Sequence, residues 1–185
     1  DTEVDSHKAL PVLKFPKERL DSVELYPFRR LIKDGVEMVM VGHLLVPVLD
    51  TLPASVSKVV VTDLLRKKMK FRGLIITDAL GMEGVLEPFG GSGAKATLAA
   101  YKAGVDILLM PDNVSESIDL IVDYIGDDRR KLKDLDARVS RVLALKGKCG
   151  KLTGRDDLSV DPAAVDTKGT DALITTIEET LAAGR

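Results

Sequence analysis

Tryptophan is absent from this sequence, cysteine occurs once and histidine only twice. Aromatic residues make up just 4%, which excludes a platform for stacking successive bases and leaves any sugar stacking to a few Phe or Tyr rings. The lone Cys149 cannot form an internal disulfide or a Cys-rich metal site. There is no H-x-x-x-H, no C-x-x-C and no acidic calcium loop, so neither a metal nor another cofactor is expected. No apolar run reaches the roughly 18 residues that a membrane helix needs. A net charge of -2 and a pI near 5.8 give no electrostatic pull toward nucleic acid or an anionic membrane. A signal-peptide pattern is also missing, but the opening reads as the middle of a loop, so the compartment stays open.

What remains is a globular balance. The 185 residues are 45% apolar and 30% charged, enough for one domain with a core. Along the chain, "DTEVDSHKALPVLKFPKERL" carries Pro11 and Pro16 without a sustained period and reads as a loop. A helix is expected from Pro27, with Phe28, Leu31 and Ile32 on one face and Gly35 ending it. Ser55 or Ser57 is placed to cap a second helix through "KVVVTDLLRKKMK". "FGGSGAK" resembles a phosphate loop but lacks the G-x-x-x-x-G-K-[ST] spacing, and reads as a turn before "ATLAAYKAG". Two further helices are expected in "SESIDLIVDYIG" and "LKDLDARVSRVLALKGK", the latter packing through Leu132, Leu135, Val139, Val142 and Leu145.

Three short apolar runs, "VEMVMVG", "LIITD" and "VDILLMP", begin near residues 36, 74 and 105. Their lack of alternation predicts strands buried on both faces, hence a parallel sheet flanked by helices. The class is α/β, with too few strands for a closed (β/α)8 barrel, which takes about 250 residues. Residues 1–147 are expected to be a partial barrel domain, 148–170 a linker rich in Gly, Asp, Pro and Thr, and 171–185 a helical tail leading to a possible second domain.

In parallel α/β folds, working residues gather at the C-terminal ends of strands. Those ends offer His43, Asp78 and Met110-Pro111. Asp78 terminates an apolar run, where a carboxylate must be hydrogen-bonded, bound to a cation or used; the competing reading is a cap for the next helix. Asp5 and His7 form a D-x-H pair that projects one way from an extended segment, so the carboxylate can orient and charge the imidazole. The plainer alternative is a solvated loop histidine. His43 reads as a strand-end histidine satisfied by its neighbours, and Met82 as a packing residue.

The segments "DTEVDSHKALP", "ELYPFRRLIKDGVEMVMVGH", "VVTDLLRKKMKFRGLIITDALGM" and "AYKAGVDILLMP" occur in the order, and at about the spacing, of glycoside hydrolase family 3. They resemble its β-N-acetylhexosaminidase branch over residues 1–147. That resemblance implies a (β/α)8-type barrel that removes terminal β-linked N-acetylglucosamine with retention, as from peptidoglycan fragments or chitin oligomers. It implies Asp78 as nucleophile, His7 as general acid/base and Asp5 as the partner of His7, with His43 and Met82 as substrate contacts. Phosphorolysis is a variant that a histidine acid/base would allow. The family's Lys-His-Phe-Pro-Gly-His-Gly stretch and its earlier strands are not in this sequence. The chain is thus expected to correspond to the C-terminal half of the barrel, with the N-terminal half on another chain or missing. A half-barrel acting only as an assembly subunit is the alternative, and a small flavodoxin-like receiver domain with Asp78 as phospho-acceptor or metal ligand is a third reading.

Overall fold

The computed structural model describes residues 10–149. The opening segment with Asp5 and His7, most of the expected linker, and the expected tail helix lie outside the described residues. The described part is α/β around a small parallel sheet. Strand β1, Met38–Val41, pairs in parallel with β2, Leu74–Thr77, in the register Met38 to Leu74 through Val41 to Thr77.

Helical structure starts earlier than the sequence suggested. A single turn, α1 (Lys17–Arg19), runs through a π-helical stretch, Leu20–Glu24, into α2 (Leu25–Lys33). Pro27 therefore lies inside the helix. It has no N–H to donate, and the widened turn just before it accommodates that loss. Gly35 does end the helix, at φ 87°. Of the expected apolar face, Ile32 packs on the core while Phe28 and Leu31 are exposed.

A second π-helix, Val59–Lys68, carries Val61 and Leu65 into the core. Ser57 is its cap: the hydroxyl accepts from Val60 N–H at 3.1 Å. Beyond β2 come a short turn of helix, α3 (Glu83–Leu86), then α4 (Gly93–Ala103), α5 (Val114–Ile125) and α6 (Arg129–Lys148). Ser92 and Asn113 cap α4 and α5, and Gly104 closes α4 at φ 108°. The small residues Ala96, Ala100 and Ala103 of α4 share the core with Val39, Ile75 and Val105.

Three expectations need correction. First, β1 is not buried on both faces: Val39 and Val41 are buried, but Met38 and Met40 are exposed. Second, the run from Val105 lies beside β2 yet forms only a single bridge, Ile76 to Ile107. The ladder bonds at its ends are taken by side chains. Ile75 N–H donates to the Asp106 carboxylate at 2.8 Å, and Leu109 N–H donates to Thr77 Oγ1 at 3.0 Å. Only Ile107 N–H to Ile75 O and Thr77 N–H to Ile107 O remain as backbone bonds of the regular kind.

Third, α6 packs only in part through the expected stripe, with Leu135, Val142 and Leu145 half-buried. Leu132 and Val139 are 42% and 48% exposed, and the buried residue is Arg138. Its guanidinium donates to Tyr101 O at 2.9 Å and Val105 O at 2.5 Å, and it pairs with Asp134. One turn on, Arg141 donates to Asp106 at 2.7 Å, and Arg66 reaches the same carboxylate from the π-helix. The Asp106 side chain is fully enclosed. Removing it by Asp106→Ala leaves two guanidinium groups and the Ile75 amide facing an apolar hole. The expected loss is about 3 kcal/mol, because a charge stripped of its buried partner is far more costly than the pair is stabilising. Urea unfolding checks this, and a change below half a kcal/mol refutes the structural role.

Candidate active site

Asp78 follows β2 directly, and its backbone N–H donates to Val41 O at 3.0 Å, carrying the parallel ladder one residue past the strand. The residues after it form a tight turn. Met82 N–H donates to Ala79 O at 3.2 Å, and the fully buried Leu80 donates its N–H to Leu109 O at 2.9 Å. The loop is thus stitched to β1 on one side and to the third apolar run on the other. Asp78 is half-buried as a residue, and its Oδ1 accepts from Ala79 N–H at 2.8 Å. It caps no helix; the cap position of α3 is Met82, in extended conformation.

His43 lies two residues beyond β1 and is only 2% exposed. Its Nε2 is 2.9 Å from Ala79 O, and its Nδ1 is 2.6 Å from Ser55 Oγ. A carbonyl can only accept, so Nε2 carries the ring proton and Nδ1 accepts from the serine hydroxyl. Burial pulls the imidazole below its ordinary pKa of 6.5, against the opposing pull of the Ala79 hydrogen bond and the nearby Asp78 charge. The ring is therefore neutral at pH 7 and has no nitrogen left for a sugar. Ser55, also fully buried, is brought to it by the turn Ala54–Val56, which Ala54 N–H anchors to Leu44 O at 2.8 Å.

Met82 sits half-buried at the rim beside this turn. Met110, at the end of the third run, is exposed and takes a left-handed φ of 45°, a strained conformation of the kind that clusters near functional sites. The Asp112 carboxylate fills the space beside Gly81, where an added Cβ would come within 2.4 Å of it. Among the described residues, no three His, Cys, Asp or Glu side chains cluster to hold a metal ion.

Asp78, His43 and Met82 are thus brought to one rim, whereas Asp5 and His7 are not described. Pro11 O accepts from Leu45 N–H and Leu13 N–H donates to Leu45 O, both at 2.8 Å, which fixes the chain downstream of His7 beside the residues that follow His43. Ser55 and Thr77 were not singled out by sequence reasoning for this role. A hydroxyl residue closing an apolar run was a signal for Thr77; nothing local marks Ser55, whose partner is a tertiary contact.

The family model for the glycosyl hydrolase family 3 N terminal domain matches residues 1–145. Beta-hexosaminidase A of Pseudoalteromonas piscicida is 30% identical over 170 residues, covering 80% of this chain and 28% of that protein. A beta-hexosaminidase of Methylobacillus flagellatus is 36% identical over 115 residues, covering 60% of this chain and 32% of its own length. Among solved structures, the glycoside hydrolase family 3 beta-N-acetylglucosaminidase of Paenibacillus sp. superposes with a TM-score of 0.75 at 33% identity, over 87% of this chain and 32% of that one. The chain spans less than a third of the length of each of these relatives.

The lowered pKa of His43 gives stability a sign. The unfolded imidazole holds its proton more tightly than the folded one, so stability is full above about pH 6.5 and declines as pH falls toward the lower folded value. Urea midpoints at about pH 7.5 and about pH 5.5 should show this drop, and it should shrink in His43→Asn. An unchanged drop in that variant would assign the effect to other groups.

Proposed function

The chain belongs to glycosyl hydrolase family 3, and on that premise we propose that it carries the nucleophile and the acid/base of a retaining glycosidase acting on terminal β-linked N-acetylglucosamine. The carrying observation is the Asp78 carboxylate: it stands at the C-terminal end of the central parallel strand, half open to ligand, on a loop whose backbone is bonded on both sides. Strand ends of this kind are where (β/α)8 barrels hold their catalytic groups. The β-hexosaminidase and β-N-acetylglucosaminidase names of the relatives support the sugar.

In the first step an Asp78 oxygen forms a bond to the anomeric carbon as the bond to the leaving oxygen breaks, and the His7 imidazolium gives that oxygen its proton. In the second step neutral His7 takes a proton from water, the water oxygen bonds to the anomeric carbon, and the Asp78 ester bond breaks. Two inversions give retention. Asp5 raises the basicity of His7 and sets its orientation. His7 lies four residues before Pro11, a distance that extended chain spans in at most about 14 Å, so the rim at Leu45 is a suitable point of departure for it. Met82 is the proposed apolar contact for the sugar.

The sheet itself is read as part of a (β/α)8 barrel. On β1, Met38 and Met40 stay 38% and 53% exposed, as expected of positions that complementary strands would enclose. Activity is therefore proposed to need those strands, supplied by another segment or chain. The same exposed face favours the second reading, a non-catalytic assembly subunit. Hydrolysis of a chromogenic β-N-acetylglucosaminide with the complementary strands present decides between them. Asp78→Ala should lower turnover by about 10⁴-fold or more, and full activity in that variant would end the assignment. His7→Ala should slow substrates with good leaving groups less than natural glycosides, since they need little protonation; equal losses would remove His7 as the acid. A homodimer by light scattering, without glycosidase activity, would establish the assembly reading.

A further inference from the structure

Three hydrogen bonds in succession connect a buried serine to the Asp78 carboxylate. Ser55 Oγ–H donates to His43 Nδ1 at 2.6 Å, and His43 Nε2–H donates to Ala79 O at 2.9 Å. The same residue, Ala79, turns its N–H to Asp78 Oδ1 at 2.8 Å. Ser55 and His43 are 0% and 2% exposed. We propose that Ser55 and His43 form a positioning relay that fixes the Ala79 peptides, so that Asp78 meets the anomeric carbon with Oδ2 while Oδ1 stays bonded to the backbone. This deepens the glycosidase reading and rests on it.

The chemistry of each link has one direction. Ala79 O accepts from both His43 Nε2–H and Met82 N–H, so the carbonyl is held from two sides and cannot rotate without breaking both bonds. With that carbonyl fixed, Leu80 buried and bonded to Leu109 O, and Asp78 N–H tied to Val41 O, the peptide between Asp78 and Ala79 has little freedom left. Its N–H points at Oδ1 and thereby selects the Asp78 side-chain torsion. A nucleophile has to lie within a narrow range of positions near the sugar carbon, and a misplacement of 1 Å costs about 10²-fold in rate. The imidazole must carry a proton on Nε2 to hold Ala79 O, and must leave Nδ1 unprotonated to accept from Ser55. Ser55 secures that form, because its hydroxyl has an acceptor only if Nδ1 carries no proton. Burial, which disfavours the charged ring, works the same way.

The relay also separates His43 from substrate binding. A residue that touches the sugar would change KM, whereas one that aims the nucleophile changes the rate of the bound complex. Two measurements test it. Imidazole ¹⁵N NMR on the chain itself should show His43 as the neutral Nε2–H tautomer at about pH 7. The Nδ1–H tautomer or the imidazolium would overturn the relay, whether or not the chain hydrolyses anything. In the hydrolysis assay with complementary strands present, His43→Phe keeps the bulk of the ring without the donor, and should lower kcat about 10²-fold with KM nearly unchanged. His43→Gln restores a donor to Ala79 O and should recover part of that loss, and Ser55→Ala should lower kcat by a smaller factor. A rise in KM at constant kcat would make His43 a sugar contact instead. A kcat loss no larger than the loss of folded protein, or no recovery in a folded Gln variant, would leave it as packing and overturn the proposal. If wild-type chain with complementary strands gives no hydrolysis at all, the glycosidase reading fails, and the NMR result alone judges the hydrogen-bond relay.

Discussion

Strand β2 is bonded along both edges, and everything at the rim is placed by that fact. On one side it runs in register with β1; on the other it meets the run from Val105 through a mixture of backbone and side-chain bonds. A four-residue strand held on one edge alone would be a weak platform. Held on both, it delivers Asp78 to a point set by Val41 on one side and by Leu109, through Leu80, on the other. Thr77 and Asp106 make this possible by standing in for main-chain groups at the two ends of the irregular edge.

Asp78 and Asp106 show how partners decide what a carboxylate does. Asp106 accepts from Ile75 N–H, Arg141 and Arg66, and its side chain is sealed from solvent. All its lone pairs are committed to holding structure. Asp78 has a single backbone donor on Oδ1 and stays half open. The first closes the end of the sheet away from the candidate rim, where the run from Val105 begins; the second is left partly open to solvent. The same contrast applies to Arg138, which is spent on two carbonyls, including the Val105 carbonyl that the Asp106 side chain displaced from the ladder.

Much of this was readable before any coordinates. The apolar runs at residues 36 and 74 became parallel strands, Gly35 and Gly104 ended helices, and Ser57 capped one. His43 was read as a histidine satisfied by its neighbours, and both ring nitrogens are so engaged. The misses share a cause. The stripe on α6 pointed to leucine and valine, but hydrophobic periodicity does not register a buried arginine whose value lies in the carbonyls it meets. Pro27 argued for a helix start because local rules do not foresee a π turn that absorbs it. The run from Val105 looked like the other strands, although a carboxylate and a hydroxyl had taken its outer ladder bonds.

The amino-acid sequence by itself determined the α/β class, the order of its elements, the position of Asp78 at a strand end and the family to which the chain belongs, since these depend on local pattern and on residues close together in the chain. Tertiary structure decided the tautomer of His43, the rotation of α6 and the enclosure of Asp106. Each rests on a contact between groups far apart in sequence: His43 and Ala79 are 36 residues apart, Asp106 and Ile75 31, Arg138 and Tyr101 37. No local preference can encode a hydrogen bond whose two ends meet only once the chain has folded.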